Sequence, residues 1–261
     1  MKKSETINYI TNWIQDYHNK NKVEGLVIGV SGGIDSALTS TLCALTGLKT
    51  LCLNMPIRQQ EEQFNRASKH IKWLKNKYNN VNSINIDLTP FFEKFQSTVD
   101  TNAEKSELAL ANSRSRMRML TLYYYAGINN SIVVGTGNKV EDFGIGFYTK
   151  YGDGGVDISP VADLMKSEVF ELSKHLKIND DILNTPPTDG LWDDDRNDED
   201  QIGVSYKDLE NIMLRLEKGE DPKGFSNKIK SYYEIYMGHH NANKHKMVEI
   251  PVCKIPSKLK L

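Results

Sequence analysis

Short apolar runs alternate with stretches of helical period through the first half of the chain. Residues 26–30, 50–54, 83–86 and 131–135 read as strands, and 37–45, 60–78, 91–96 and 104–126 read as the helices between them. This rhythm is that of a parallel sheet with crossover helices, a doubly wound α/β fold. Ahead of the first strand, Ile7, Ile10, Trp13, Ile14 and Tyr17 recur with helical spacing, which predicts an N-terminal amphipathic helix rather than a signal peptide or a membrane span. Thr89 before Pro90 reads as a helix cap. Ligands in such sheets bind beyond the carboxyl ends of the strands, so the segments after Val30, Asn54, Ile86 and Val134 are predicted to converge on one site.

The second half is less regular. Residues 135–160 are rich in glycine and aromatic side chains and read as a functional loop region. Helices are predicted over 166–176, from a cap at Ser205 to about Leu216, and over 226–236. Between them, 189–203 holds Asp193-Asp194-Asp195 and Asp198-Glu199-Asp200 and reads as a mobile, solvated loop. The tail from Lys244 onward reads as basic and irregular.

The strand over 26–30 runs into a helix through Gly29, Val30, Ser31, Gly32, Gly33, Ile34, Asp35 and Ser36. Glycines allow a sharp turn and a close approach of backbone to ligand, and the N–H groups and dipole at a helix start favour an anion. This is the geometry of a phosphate cradle. An Asp stands where other phosphate loops carry a Lys, and a carboxylate beside a triphosphate is repelled unless a divalent cation lies between them. Asp35 is therefore a candidate magnesium ligand.

With 261 residues the chain fits one large domain or two at most. Lys and Arg total 33 against 34 for Asp and Glu, a net charge of −1, so no basic field speaks for nucleic acid or anionic lipid. Cys43, Cys52 and Cys253 form no pair with metal or redox spacing, which suits core residues in a reducing cytoplasm.

Two further segments narrow the field. They are Gly135-Thr136-Gly137-Asn138-Lys139-Val140-Glu141 and Phe147-Tyr148-Thr149-Lys150-Tyr151-Gly152-Asp153-Gly154-Gly155-Val156-Asp157. With the cradle, they resemble the ammonia-dependent NAD synthetases of the ATP pyrophosphatase superfamily, and the similarity runs in order from about residue 24 to 246. The resemblance implies an adenine nucleotide alpha hydrolase-like fold over 1–261, with no glutaminase domain. It also implies ATP-dependent amidation of deamido-NAD with ammonia through an acyl adenylate.

Carried over by position, Gly29 to Ser36, Thr136, Lys166 and Thr188 would contact ATP, and Asp35 with Glu141 would hold magnesium. Arg116, Lys150, Asp157, His245 and Lys246 would contact deamido-NAD. Arg114 and Arg118 lie close to Arg116 in the same helix. The interval from Glu141 to Lys150 is one residue longer than in better-known members, which makes Asp142 a competitor for the metal role. No motif marks the ammonia site, and Asp153 is the candidate for holding ammonium. The resemblance further implies a homodimer. Two other readings stay open on the residues alone: a tRNA-modifying enzyme on the same ATP-binding fold, and a nucleotide sensor without turnover. Neither paired cysteines nor a basic extension supports the first, and the retained Asp35, Glu141, Lys150 and Lys166 argue against the second.

Overall fold

The computed structural model describes residues 1–99, 103–188, 190–192 and 197–260. Four parallel strands form one sheet: β1 (Gly25–Gly29), β2 (Thr50–Asn54), β3 (Val81–Asn85) and β4 (Ser131–Val134). Their spatial order is β3-β2-β1-β4. The chain winds outward through β2 and β3, then returns to the far side of β1, which leaves a topological switch between β1 and β4. The bound of β3 differs from expectation because its pairing with β2 begins at Val81 opposite Thr50.

Both faces of the sheet are covered, as a parallel sheet requires. Leu26, Ile28, Cys52, Ile132 and Val134 point to one side, against α1 (Lys3–Asn21), α2 (Ile34–Leu45), α3 (Glu61–Lys77) and α6 (Lys166–His175). Val27, Leu53 and Val133 point to the other, against α4 (Thr89–Gln96) and α5 (Ala103–Ile128). Ile14, Leu38 and Leu42 are completely buried, and each such side chain stabilises the fold by about 1.5–3 kcal/mol. The period over Ile7, Ile10 and Ile14 places those residues in the core, whereas Trp13 stays 40 % exposed.

A second core lies beyond the sheet. Val140 and Ile145, on a π-helical turn (Val140–Ile145), pack with Leu209, Ile212 and Met213 of α9 (Tyr206–Glu217) and Tyr236 of α10 (Asn227–Asn243). The turn is thus held from outside the sheet, over the carboxyl ends of β1 and β4. Between α6 and α9 lie the short helices α7 (Asp180–Leu183) and α8 (Asp198–Ile202).

Several expectations change. Thr89 does not cap α4; its N–H donates to Asp87 Oδ1 at 2.9 Å, and its hydroxyl accepts from the Arg58 N–H. Residues 198–202 are not solvated loop but α8, capped by the Asn197 side chain and anchored by Ile202 at 3 % exposure. Asp193, Asp194 and Asp195 lie outside the described residues. Helix α10 runs on to Asn243 rather than ending at Tyr236. Ser205 does cap α9, accepting from the Asp208 N–H at 3.2 Å. Cys43 and Cys52 are buried, but Cys253 is exposed.

His70 of α3 is wholly buried, within 3.0 Å of Ser40 Oγ and stacked on Trp73, and its Nδ1 has no partner. Burial lowers its pKa from 6.5 to about 4. Below pH 6.5 the unfolded chain binds a proton that the folded chain refuses, so stability is lost as pH falls from 6.5 to 4 and the loss levels off beneath that. The expected loss is about 3 kcal/mol. Urea melts across that window should show a shallower pH dependence, by up to one proton, for His70→Gln. Parallel slopes in the two proteins would remove the assignment.

Candidate active site

One cavity opens at the switch point, lined by the β1–α2 turn, the ends of β2 and β4, the N-terminal part of α3, and α5 residues Ser115, Arg118 and Met119. The segment after β3 does not reach it. That strand is the outermost, and the chain beyond it turns away so that Leu88 and Phe92 pack under Met55 and Ile57.

The cradle is built as its sequence implies. Gly32 sits at φ +85°, and a Cβ there would lie 2.7 Å from the Gln63 carbonyl oxygen, so both conformation and space demand glycine. Ser36 Oγ donates to the Gly33 carbonyl at 2.9 Å and accepts the Ser31 N–H at 3.2 Å, while the Gly33 N–H donates to Ser31 Oγ at 3.2 Å. These bonds fix the turn. No side chain caps α2, so the first-turn N–H groups of Ile34, Asp35 and Ser36 have no acceptor within the helix and line the cavity.

At the mouth of the cradle, Lys166 joins two carboxylates. Its ammonium donates to Asp35 Oδ2 at 2.6 Å and to Glu141 Oε1 at 2.9 Å, with a side chain only 4 % exposed. Burial opposes the Lys166 charge, but the two carboxylates outweigh it and hold the amine protonated. Burial pushes the Asp35 carboxyl up against the pull of Lys166. Glu141 goes the other way: burial opposes its charge, but Lys166 and the Tyr206 hydroxyl, which donates at 2.5 Å, keep it ionised.

Two residues that carried no signal of their own complete this group. Asn138, fully buried, donates to Asp35 Oδ1 at 3.0 Å, and its Oδ1 accepts the N–H groups of Val140 and Glu141. One amide thus sets both the Asp35 rotamer and the start of the turn that carries Glu141. Tyr206, first residue of α9, ties Glu141 to the second core. Asn138 stands inside the segment 135–141, where its neighbours drew the attention. Tyr206 is far off in sequence and has no motif.

Asp142, next to Glu141, faces the cavity with no hydrogen bond to its carboxylate among the described residues. Burial, with Glu141, Asp153 and Asp35 nearby, pushes its pKa well up. The two neighbouring carboxyls are thus shifted in opposite directions, which favours Glu141 over Asp142 as a cation ligand. Asp153 also lines the cavity, but its Oδ1 accepts from Ser115 Oγ at 2.6 Å and from the Thr149 N–H at 3.0 Å, which staples the glycine-rich run to α5.

Thr136, Thr188 and Lys166 line the same cavity. Of the three neighbouring arginines, Arg118 lines it and donates to the Met55 carbonyl and Gln59; Arg114 is buried and donates to the Leu191 carbonyl; Arg116 is exposed on the rim and donates to the Lys150 carbonyl at 3.3 Å. Lys150 in turn donates to the His245 carbonyl at 3.1 Å. Lys246 donates to the carbonyls of Gly146 and Tyr148 and lies over the Tyr148 ring. Arg116, Lys150 and His245 are thus linked in series, and Lys246 reaches the backbone of Tyr148, a cavity residue, though none of the four lines the cavity itself. Asp157 stands apart, accepting the Val133 N–H at 2.7 Å and the Tyr123 hydroxyl at 3.1 Å.

Asp35 and Glu141 are also chemically suited to magnesium. Among the described residues no three acidic, His or Cys side chains are grouped to hold a metal alone. Magnesium prefers one or two carboxylates shared with substrate phosphates, and an opposed carboxylate pair beside a phosphate cradle would fit such a half-site.

The NAD synthase family model matches residues 6–248. An NH(3)-dependent NAD(+) synthetase from Mycoplasma genitalium is 37% identical over 78% of this chain and 80% of its own. One from Syntrophomonas wolfei is 33% identical over the whole of both. Among solved structures, the NMN synthetase from Francisella tularensis superposes with a TM-score of 0.84 at 34% identity, covering 98% of this chain and 99% of that one. The chain belongs to the NAD synthase family.

Proposed function

We propose that this enzyme uses ATP to join ammonia to the nicotinic acid carboxylate of deamido-NAD, giving NAD, AMP and pyrophosphate. The observation that carries the reading is the Lys166-bridged pair of Asp35 and Glu141 at the mouth of the cradle, in one cavity with the glycine-rich run. A carboxylate is a poor electrophile and must be activated. Its oxygen attacks the α-phosphorus of ATP, the bond to the β-phosphate oxygen breaks, and pyrophosphate leaves. Ammonia then attacks the carbonyl carbon of the acyl adenylate, AMP departs with the bridging oxygen, and the nitrogen loses a proton.

The residues mainly bind, orient and neutralise. Gly29 to Ser36 receive the departing pyrophosphate with backbone N–H groups and hydroxyls, and Thr136, Thr188 and Lys166 hold the nucleotide. Asp35 and Glu141 would hold magnesium, which supplies charge neutralisation on the phosphates when bound. Arg116, Lys150, His245 and Lys246 hold the acceptor from the rim; Asp157 supports that side through the end of β4. Asp153 faces ammonia from its staple on Ser115. Free ammonia is the nitrogen donor, and the whole chain acts as one synthetase unit. Three free cysteines suit a reducing cytoplasm, and no described helix is long and apolar enough to cross a membrane.

A second reading is favoured by the similarity to the Francisella tularensis NMN synthetase. The chemistry is the same, but the acceptor is then nicotinic acid mononucleotide, without the adenosine half. The two readings separate in one experiment: AMP and pyrophosphate release with magnesium and ammonium, comparing kcat/KM for the two acceptors. A preference of tenfold or more for deamido-NAD supports the first, the reverse supports the second, and no acceptor-dependent AMP from either rejects both.

The chain is further proposed to pair with itself through α5. Leu120, Tyr124 and Ile128 recur every fourth residue on that helix and are 56 %, 62 % and 62 % exposed. Sedimentation should give a dimer for the parent and a monomer for Tyr124→Glu; a monomeric parent refutes the pairing.

The metal assignment is tested without turnover. Removing the Lys166 charge with Lys166→Met leaves two facing carboxylates uncompensated, which should destabilise the protein by about 3–5 kcal/mol. Millimolar magnesium should restore more stability to this variant than to the parent in thermal melts. Equal stabilisation of both would refute the pair as a metal site.

A further inference from the structure

The cavity has an uneven charge balance. Asp35, Glu141, Asp142, Asp153 and Asp198 line it, against Arg66, Arg118 and Lys166. Lys166 is committed to Asp35 and Glu141. Arg118 is committed to the Met55 carbonyl and to Gln59 Oε1 at 2.8 Å. A nucleotide with a triphosphate enters this wall of carboxylates, and one cation remains uncommitted.

That cation is Arg66. It projects from α3, the helix packed directly on the cradle, and its Cβ lies 3.3 Å from where a side chain at Gly32 would begin. Its Nε is buried without a hydrogen-bond partner, and no described residue forms a hydrogen bond or ion pair with the guanidinium. Asp181, whose charge Arg66 feels, is already held by Lys69 at 2.8 Å. Thr185, Pro186 and Thr188 line the same cavity. Arg66 is half-buried: its Nε is enclosed without an acceptor, an unmet donor of this kind is costly, and a guanidinium's planar fork matches phosphate oxygens in pairs.

We propose that Arg66 is a catalytic residue that binds the β- and γ-phosphates of ATP and stays with them as pyrophosphate leaves. The inference rests on the ATP-splitting reaction proposed above and adds to it the group that meets the leaving anion from the α3 side. As the bond from the α-phosphorus breaks, its electron pair passes to the pyrophosphate oxygen. Arg66 stabilises that charge without gaining or losing a proton.

Calorimetry with inorganic pyrophosphate and with AMP, each with magnesium, tests this without any acceptor. Arg66→Met keeps the apolar stem and removes the fork; it should weaken pyrophosphate about 10- to 100-fold and AMP less than twofold, with an unchanged thermal midpoint in the absence of ligand. Arg66→Lys, which keeps the charge, should recover part of the loss, and it serves as the test if the Met variant does not fold. Unchanged pyrophosphate binding in the folded variant overturns the proposal. So does an equal loss for AMP, which would put Arg66 on the adenosine half. A parent that makes pyrophosphate in turnover, beside a variant with unaltered pyrophosphate affinity, sinks this inference alone; a parent that makes none sinks the reaction instead.

Discussion

The ammonium of Lys166, buried between Asp35 and Glu141, is the constraint on which the site depends. Each of the three charges would be expensive to bury alone, and together they are tolerable only while their geometry holds. Three distant segments must therefore meet: the first turn of α2, the π-helical turn after β4, and the first residue of α6. Asn138 locks two of them by bonding Asp35 and the backbone of Glu141 at once. The second core holds the π-helical turn from outside as well, since Val140 and Ile145 are wholly buried against α9 while Tyr206 holds Glu141. The helices beyond the sheet thus fix the position of one carboxylate.

The same cluster is arranged to exchange partners. One ammonium against two carboxylates leaves a net negative charge facing a cradle meant for an anion. A divalent cation held by Asp35 and Glu141, as proposed, would offset that charge and leave the Lys166 ammonium available to a phosphate. Stability of the empty site and affinity for the nucleotide are therefore linked through one side chain.

Much of this was legible in the sequence, for local reasons. The strand-turn-helix at 25–36 is contiguous, and its glycines and serines state its geometry without help from the rest of the chain. The four strands follow from apolar runs separated by helical periods. What escaped is nonlocal. Tyr206 is 65 residues from the Glu141 it holds. Residues 198–202 are strongly acidic and read as solvated, yet Ile202 drives α8 into the second core and Asn197 supplies its cap. Thr89 lost its expected role because its hydroxyl accepts the Arg58 N–H instead, while Asp87, two residues earlier, accepts its N–H. In each case the competing partner comes from tertiary packing or from a neighbour with a better-placed oxygen, which no periodicity reports.

The two halves of the site are built on different principles, and this bears on how such an enzyme can change acceptor. The nucleotide half is held by contiguous backbone and by a buried ion cluster, so a substitution there disturbs folding and ATP binding together. The residues proposed for the acceptor are joined by side-chain-to-carbonyl bonds: Arg116 to Lys150, Lys150 to His245, Lys246 to Gly146 and Tyr148. Those donors are long and lie outside the core, with Arg116 exposed and Lys150 and Lys246 half-buried, and redirecting one to a ligand would give up only its bonds to backbone carbonyls. Activation of a carboxylate is therefore fixed by the fold, while the length of the molecule that carries it is set at a surface the fold scarcely constrains. A family with this division can keep one adenylating centre and exchange a dinucleotide acceptor for a mononucleotide one by changes confined to the rim and to the chain that packs against it.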